Sequence, residues 1–254
     1  MYIPRTPSGG FVLGDPRAAK RAAIHKVILT KPFCADETEV TVKAYAECVE
    51  QRGCTLPQLG DPNSNYRRKD TRGEHPVNLV NSEQALYYCG QLGKTIPTEA
   101  QWKWAASHGD GRVYPWGNER PSCENERADF TPGGAPKRDP AGNYGCRGGG
   151  TSPIKNFPKG NSTWPTGTLY DMGGNVWEWT RDCYRNYTTD TQTDPEFKSS
   201  IAGHCPIMSL VGGGWNRSHD ALRINFRGAA VYRYKVPGLG FRCIREPGTA
   251  ALKP

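Results

Sequence analysis

No run of about 20 apolar residues occurs in this chain, so the sequence offers no membrane-spanning helix. It also has no Cys-x-x-Cys pair, and its five histidines (His25, His75, His108, His204, His219) show no ligand spacing. A zinc site is therefore not expected. Apolar residues are scarce at 36%, while there are 30 glycines and 21 prolines. That balance excludes a helical bundle and favours a loop-rich fold with little regular structure. Charge of one sign does not cluster either. The formal net charge is +8, yet Lys and Arg are scattered, and the only tight group is Arg67-Arg68-Lys69. Such a distribution describes a solvated surface, and nucleic acid is not an expected partner.

What is abundant is cysteine. Nine cysteines in 254 residues point to an oxidising, extracytoplasmic setting: secreted, periplasmic or cell-surface. The opening Met1-Tyr2-Ile3-Pro4-Arg5 is not a signal peptide, so an export signal or anchor is expected to lie outside this chain. The length permits one or two domains. With no internal repeat and no convincing linker, the reading is a single domain over residues 1–246 and a C-terminal tail over 247–254.

Short β-type patterns occupy residues 10–31, and Glu39-Val40-Thr41-Val42 reads as a strand end leading into a helix through Val49, with Tyr45, Cys48 and Val49 on one face. A second helix opens at Asn81-Ser82-Glu83-Gln84, capped by Asn81 or Ser82. A third opens at Pro97-Thr98-Glu99-Ala100-Gln101, where Thr98 and Gln101 form a capping box. Residues 107–168 read as long ordered loops, and short strands alternate with turns from residue 169 onwards.

The run Asp171-Met172-Gly173-Gly174-Asn175-Val176-Trp177-Glu178-Trp179 combines two carboxylates with a Gly-Gly bend. Asp171 and Glu178 offer side-chain oxygens, and the bend can turn the carbonyls of Gly174 and Val176 inward, as a calcium loop requires. The competing reading keeps Trp177 and Trp179 as core residues and pairs Glu178 with an arginine. Both stay open at this point.

Together with this run, Gly73-Glu74-His75-Pro76-Val77, Tyr87-Tyr88-Cys89, Pro97-Thr98-Glu99-Ala100-Gln101-Trp102, Tyr114-Pro115-Trp116-Gly117-Asn118 and Gly212-Gly213-Gly214-Trp215 … Gly240-Phe241-Arg242 fall in a characteristic order. Over residues 3–246 the chain resembles the formylglycine-generating enzyme (sulfatase-modifying factor) superfamily. That resemblance implies an α+β fold, a loop-rich variant of the C-type lectin fold. It implies one Ca²⁺ on Asp171, Gly174, Val176 and Glu178, and a disulfide between Cys89 and Cys243. The family's second calcium loop corresponds to residues 120–150, where Asn125 could supply a ligand but Cys146 stands where an aspartate is expected. A Cys123–Cys146 bridge in place of that metal is the resulting hypothesis. Cys48 with Cys54 and Cys183 with Cys205 can close local loops. Cys34 is left over, and a buried thiol is expected there.

The family's oxygen-dependent enzyme binds copper(I) through two cysteines shortly after the Gly-Gly turn. Here those positions fall on Arg217 and Leu222 (or Ala221), and no cysteine occurs between Cys205 and Cys243. Neither side chain can bind a soft ion, so copper is not expected. The helical domain that supplies iron ligands in other relatives is also missing. His219 with Asp220 is read as two neighbours on a strand, facing opposite ways. Trp215, Asn216, Arg217, His219, Asn225, Tyr232, Arg233 and Tyr234 remain as a ligand-contact face within the 212–236 segment. Arg223, Arg227 and Arg242 are read as structural. The functional expectation is a module binding a protein, peptide or glycan. The alternatives are a divergent enzyme modifying a peptide or natural product, and a structural or sensory domain whose contact surface is the 184–204 insertion.

Overall fold

The computed structural model describes residues 1–17, 22–125, 127–131, 145, 146, 148–198 and 205–248. Among the described residues three α-helices begin where capping chemistry starts them. Helix α1 spans Val42–Gln51, and the Thr41 side chain accepts the Ala44 N–H at 3.1 Å. Tyr45 and Cys48 are buried, with Val49 half-buried beside them. Helix α2 spans Ser82–Gln91, and the cap is Asn81, in a reciprocal box with Gln84. Helix α3 spans Glu99–Ser107 behind the expected Thr98–Gln101 box. Each box satisfies N–H groups that a helix start otherwise leaves orphaned.

The strands are short: β1 Tyr2–Ile3, β2 Phe11–Leu13, β3 His25–Ile28, β4 Phe33–Ala35, β5 Ser162–Trp164 and β6 Gly167–Leu169. They continue as β7 Trp177–Cys183, β8 Gln192–Thr193, β9 Ile207–Val211, β10 Gly228–Val231, β11 Leu239–Gly240 and β12 Ile244–Arg245. Four of them form a sheet in the order β10-β9-β7-β11, and this sheet organises the molecule. Residues alternate between faces along a strand. The registers Trp179↔Leu210, Leu210↔Gly228 and Trp177↔Leu239 therefore put those side chains on one face. That face packs with Tyr45, Tyr88 and Phe241 from the α1 and α2 side. Glu178, Ser209 and Val211 point the other way, toward α3 and its core of Trp102, Trp104 and Met172. The C-type lectin-like, loop-rich α+β reading is the fold observed.

Two details depart from expectation. The β5–β6 hairpin lies inside the stretch read as loops. Its Pro165-Thr166-Gly167 turn reads as punctuation, but Trp164 anchors it by donating from its indole N–H to the Ala105 carbonyl at 2.9 Å. Cys34, expected to be buried, is exposed. On β4 the alternation sends Phe33 and Ala35 into the core and Cys34 outward. The other eight cysteines pair as Cys48–Cys54, Cys89–Cys243, Cys123–Cys146 and Cys183–Cys205. Four disulfides fit a protein that folds under oxidising conditions. Among the described residues no helix is long and apolar enough to cross a membrane. Of the tail expected over 247–254, residues 249–254 lie outside the described residues.

Candidate functional site

Three arginines near the C-terminal end meet buried carboxylates. Arg223 pairs with Asp15, Arg227 grips Glu99 through Nε and Nη2 at 2.7 and 2.9 Å, and Arg242 grips Glu178 at 2.8–3.0 Å. Burial alone raises the Glu99 carboxyl, but Lys103 and Arg227 outweigh it and hold the group below its ordinary range. Ser209 donates to the same carboxylate. These pairs tie the 223–242 segment to the turn after β2, to α3 and to β7, and that is how a segment with little regular structure keeps one shape.

The Asp171–Glu178 turn is held mainly by protein groups. Gly174 has φ +95°, and a Cβ there would strike the Asp129 carbonyl, so only glycine fits. Gly174 N–H donates to Gly212 O at 2.9 Å and Trp215 N–H to Asn175 O at 2.7 Å, joining the turn to the Gly-Gly-Gly bend. Asp171 accepts the Lys155 N–H at 2.7 Å. Glu39, which sequence reasoning missed, receives Asn175 Nδ2 at 2.9 Å and the Val176 N–H at 3.3 Å.

Two observations bear on whether these residues suit calcium. Glu39, Asp171 and Glu178 interact as buried carboxyls around the buried Arg242, with Lys155 also acting on Asp171. Burial raises Asp171 to about 6, and burial with Asp171 and Glu178 pushes Glu39 well up. A divalent cation held by oxygen would offset the burial and mutual repulsion that push these carboxyls toward their neutral form. Against it, both oxygens of Glu178 are already engaged by Arg242 and the Trp102 indole N–H. Among the described residues no three His, Cys, Asp or Glu side chains converge as metal ligands. Asp171 and the main-chain oxygens of Gly174 and Val176 fit the ion chemically. Glu178 fits only if Arg242 releases it. In the 120–150 loop, Asn125 Oδ1 accepts the Ser122 N–H at 3.0 Å and Asn125 Nδ2 donates to Glu119 and to the Arg120 carbonyl, a local turn beside the Cys123–Cys146 bridge.

Beside the sheet face that carries Trp177 lies a pocket of ≈ 570 Å³. Trp177, Leu210, Phe226, Tyr234 and Val236 line it with the small residues Gly228, Ala229 and Ala230 of β10. Trp177 and Phe226 approach with ring centroids 6.0 Å apart. A Cβ on Gly228 would come within 2.8 Å of the Trp177 ring, so the glycine makes room for the indole. Edge strand β10 thus leaves volume open where larger side chains would close it.

Of the eight residues expected to form a contact face, Arg217 and Tyr234 line this pocket. Trp215 is only 5% exposed; its indole N–H donates to Pro237 O at 3.4 Å, so it is scaffold. Asn216 packs against Gly238, and Asn225 is half-buried. The guanidinium of Arg233 lies 5.0 Å from the Tyr232 ring centroid, while the Tyr232 carbonyl accepts from Ser82. His219 and Asp220 are not on a strand. They open a one-turn 3₁₀ helix, His219–Leu222, with His219 Nε2 3.7 Å from Asp220 Oδ1 and Nδ1 3.4 Å from Arg120. Leu222 is fully buried, whereas Arg217 is exposed at the pocket rim. Trp177 on β7 and Phe226 just before β10 were not expected to line a pocket, because aromatics on or beside a strand read as core. The usable signal was the small-residue run Gly228-Ala229-Ala230, which pairs with β9, the strand next to that of Trp177.

A model of the sulfatase-modifying factor enzyme 1-like domain matches residues 4–247. The chain is 40% identical to the bovine inactive C-alpha-formylglycine-generating enzyme 2 across 75% of this chain and 56% of that protein. It is 28% identical to the formylglycine-generating enzyme of Streptomyces coelicolor across 95% of this chain and 88% of that protein. The chain spans about half the length of the mammalian relatives it matches, 45–56% of each. Among solved structures, PvdO from Pseudomonas aeruginosa superposes with a TM-score of 0.70 at 21% identity, covering 97% of this chain and 93% of that one. The ordered motifs, the buried Glu178–Arg242 pair and the match over residues 4–247 agree: the chain belongs to the formylglycine-generating enzyme-like (sulfatase-modifying factor) family.

Proposed function

We propose that this chain is a ligand-binding module that takes a protein, peptide or glycan at the pocket beside the 212–236 segment. The observation that carries the reading is the pocket itself. It is walled by Trp177, Phe226 and Tyr234, and Arg217 stands where the family's copper enzyme has a thiolate. The position of the second thiolate falls on Leu222 or Ala221, both buried and neither a metal ligand. An aromatic pocket with few polar groups is the usual form of a binding site, and the side chains at the thiolate positions cannot bind copper(I). The bovine relative is named as an inactive formylglycine-generating enzyme, which agrees with a member that binds without turning over.

The test is a binding screen of the whole chain against peptide and glycan libraries, with products followed by mass spectrometry. Hits weakened by Tyr234→Ala or Phe226→Ala, and leaving unchanged in mass, support the module. Hits indifferent to both variants refute the pocket. A product of altered mass instead supports the divergent enzyme.

We propose also that one Ca²⁺ joins the Asp171 turn, supported by the buried excess of carboxyl groups around Arg242. Metal counting on undialysed protein tests it. One calcium per chain, lost in Asp171→Asn, is the expected result, and calcium absent from the wild type sinks it. Secretion or display outside the cytoplasm follows from the four disulfides under the same reading.

A further inference from the structure

We infer that the pocket selects ligands presenting an apolar or aromatic body with a single carboxylate. The inference rests on the binding reading above and adds the chemical class. Its first support is the charge pattern of the lining. Trp177, Leu210, Phe226, Tyr234 and Val236 supply an apolar interior, and Arg217 is the one charged residue among those lining it. Its second support is the state of that arginine. Among the described residues, Arg223, Arg227 and Arg242 are each committed to a buried carboxylate, whereas the exposed Arg217 guanidinium has no acidic partner. The main chain of Arg217 is anchored at the pocket: its N–H donates to Gly214 O and its carbonyl accepts the Thr131 N–H, both at 2.9 Å.

A guanidinium at the mouth of an apolar pocket offers a fork that a carboxylate meets with two parallel hydrogen bonds. A neutral or cationic ligand of the same shape leaves the fork unpaired or repelled. The pocket volume of ≈ 570 Å³ lies within the range of small-molecule sites and also admits a terminal side chain. A free aryl or alkyl carboxylate and the C-terminus of a peptide ending in an aromatic residue present the same chemistry.

The experiment is a fluorescence titration of the full chain, read from tryptophan emission because Trp177 lines the pocket. The probes are 3-phenylpropionate, its primary amide, phenethylamine, and short peptides ending in phenylalanine with a free or amidated C-terminus. The expected result is saturable binding of the carboxylate, weaker by about tenfold or more for the amide, as loss of a charged hydrogen bond implies. Arg217→Ala should abolish the difference and Arg217→Lys should keep part of it, with thermal stability unchanged in both. The peptide pair separates the two sources: preference for the free C-terminus alone assigns the site to peptides, and binding of 3-phenylpropionate assigns it to small acids. Amide or amine binding as tight as the acid overturns the inference and leaves the pocket reading standing. No response to any probe overturns the inference, and libraries that also yield no hit overturn the binding reading with it.

Discussion

Replacing Arg242 with methionine should destabilise the fold more than most single changes. Both partners of the Arg242–Glu178 pair are 1% exposed, and the carboxylate takes its guanidinium bonds at 2.8–3.0 Å. Arg242 also donates to the Tyr170 carbonyl at 2.9 Å and to those of Asp36 and Glu37 at 3.3 Å. Removing one member of a buried pair strands the other, at a cost of about 3–5 kcal/mol, because the remaining charge has been taken out of water without compensation. Glu178 retains only the Trp102 indole bond at 2.9 Å, so the upper half of that range is expected. Removing both, in Glu178→Met with Arg242→Met, should recover most of the loss, since an apolar pair of similar volume avoids desolvating either charge. The assay is urea unfolding followed by tryptophan fluorescence with the disulfides intact, comparing midpoints at a common slope. A cost below about 1 kcal/mol for Arg242→Met would show that the pair contributes little. Equal loss in the single and double variants would place the effect in the carbonyl contacts instead. Millimolar calcium adds a second reading of the same variant. If Glu178 is a latent calcium ligand, freeing it from Arg242 should let calcium restore stability, whereas a purely structural glutamate gains nothing.

Three further outcomes follow from the same geometry. Replacing Cys89 and Cys243 by alanine opens a link of sequence separation 154; chain entropy puts the loss at up to about 5 kcal/mol, measured in the same urea experiment, and a loss under about 1 kcal/mol would contradict it. Stability should peak near mildly acidic pH. Burial raises Asp171 to about 6 and Asp182 to about 7, so their contribution is complete at low pH and is lost as pH climbs through those values. Burial lowers His75 and His108 to about 4, so theirs is present above the ordinary histidine value and is lost as pH falls toward 4. A Tm that rises steadily from slightly acidic to alkaline pH would contradict this, and Asp182→Asn should flatten the alkaline limb. Finally, native protein treated with a maleimide should take up one equivalent on Cys34 and none on the eight paired cysteines. Labelling of Cys123 or Cys146 would show that the bridge over the 120–150 loop is not formed.

How far the chain reveals itself depends on the range of the forces involved. Helix starts were legible because capping is local: Thr98 and Gln101, three residues apart, meet in space as they stand in sequence. Disulfide partners were legible where loops are short, as for Cys48 with Cys54, or where a family resemblance supplied the long link of Cys89 to Cys243. The contact face was not. Trp215 carries the composition of a binding residue, yet the bend at Gly213, φ +73°, turns it under the 236–239 segment. Trp177 carries the composition of a core residue, yet the small side chains two strands away on β10 leave space beside it. Whether an aromatic is floor or filler depends on volumes contributed by β9, β10 and the 217–226 loop together, which no local pattern records. The arginines show the same logic. Arg217, Arg223 and Arg227 look alike in sequence, and only the placement of Asp15 and Glu99 makes two of them girders and leaves the third facing the pocket. Selectivity should therefore shift when Arg217 changes, whereas altering Arg223 or Arg227 should cost stability first.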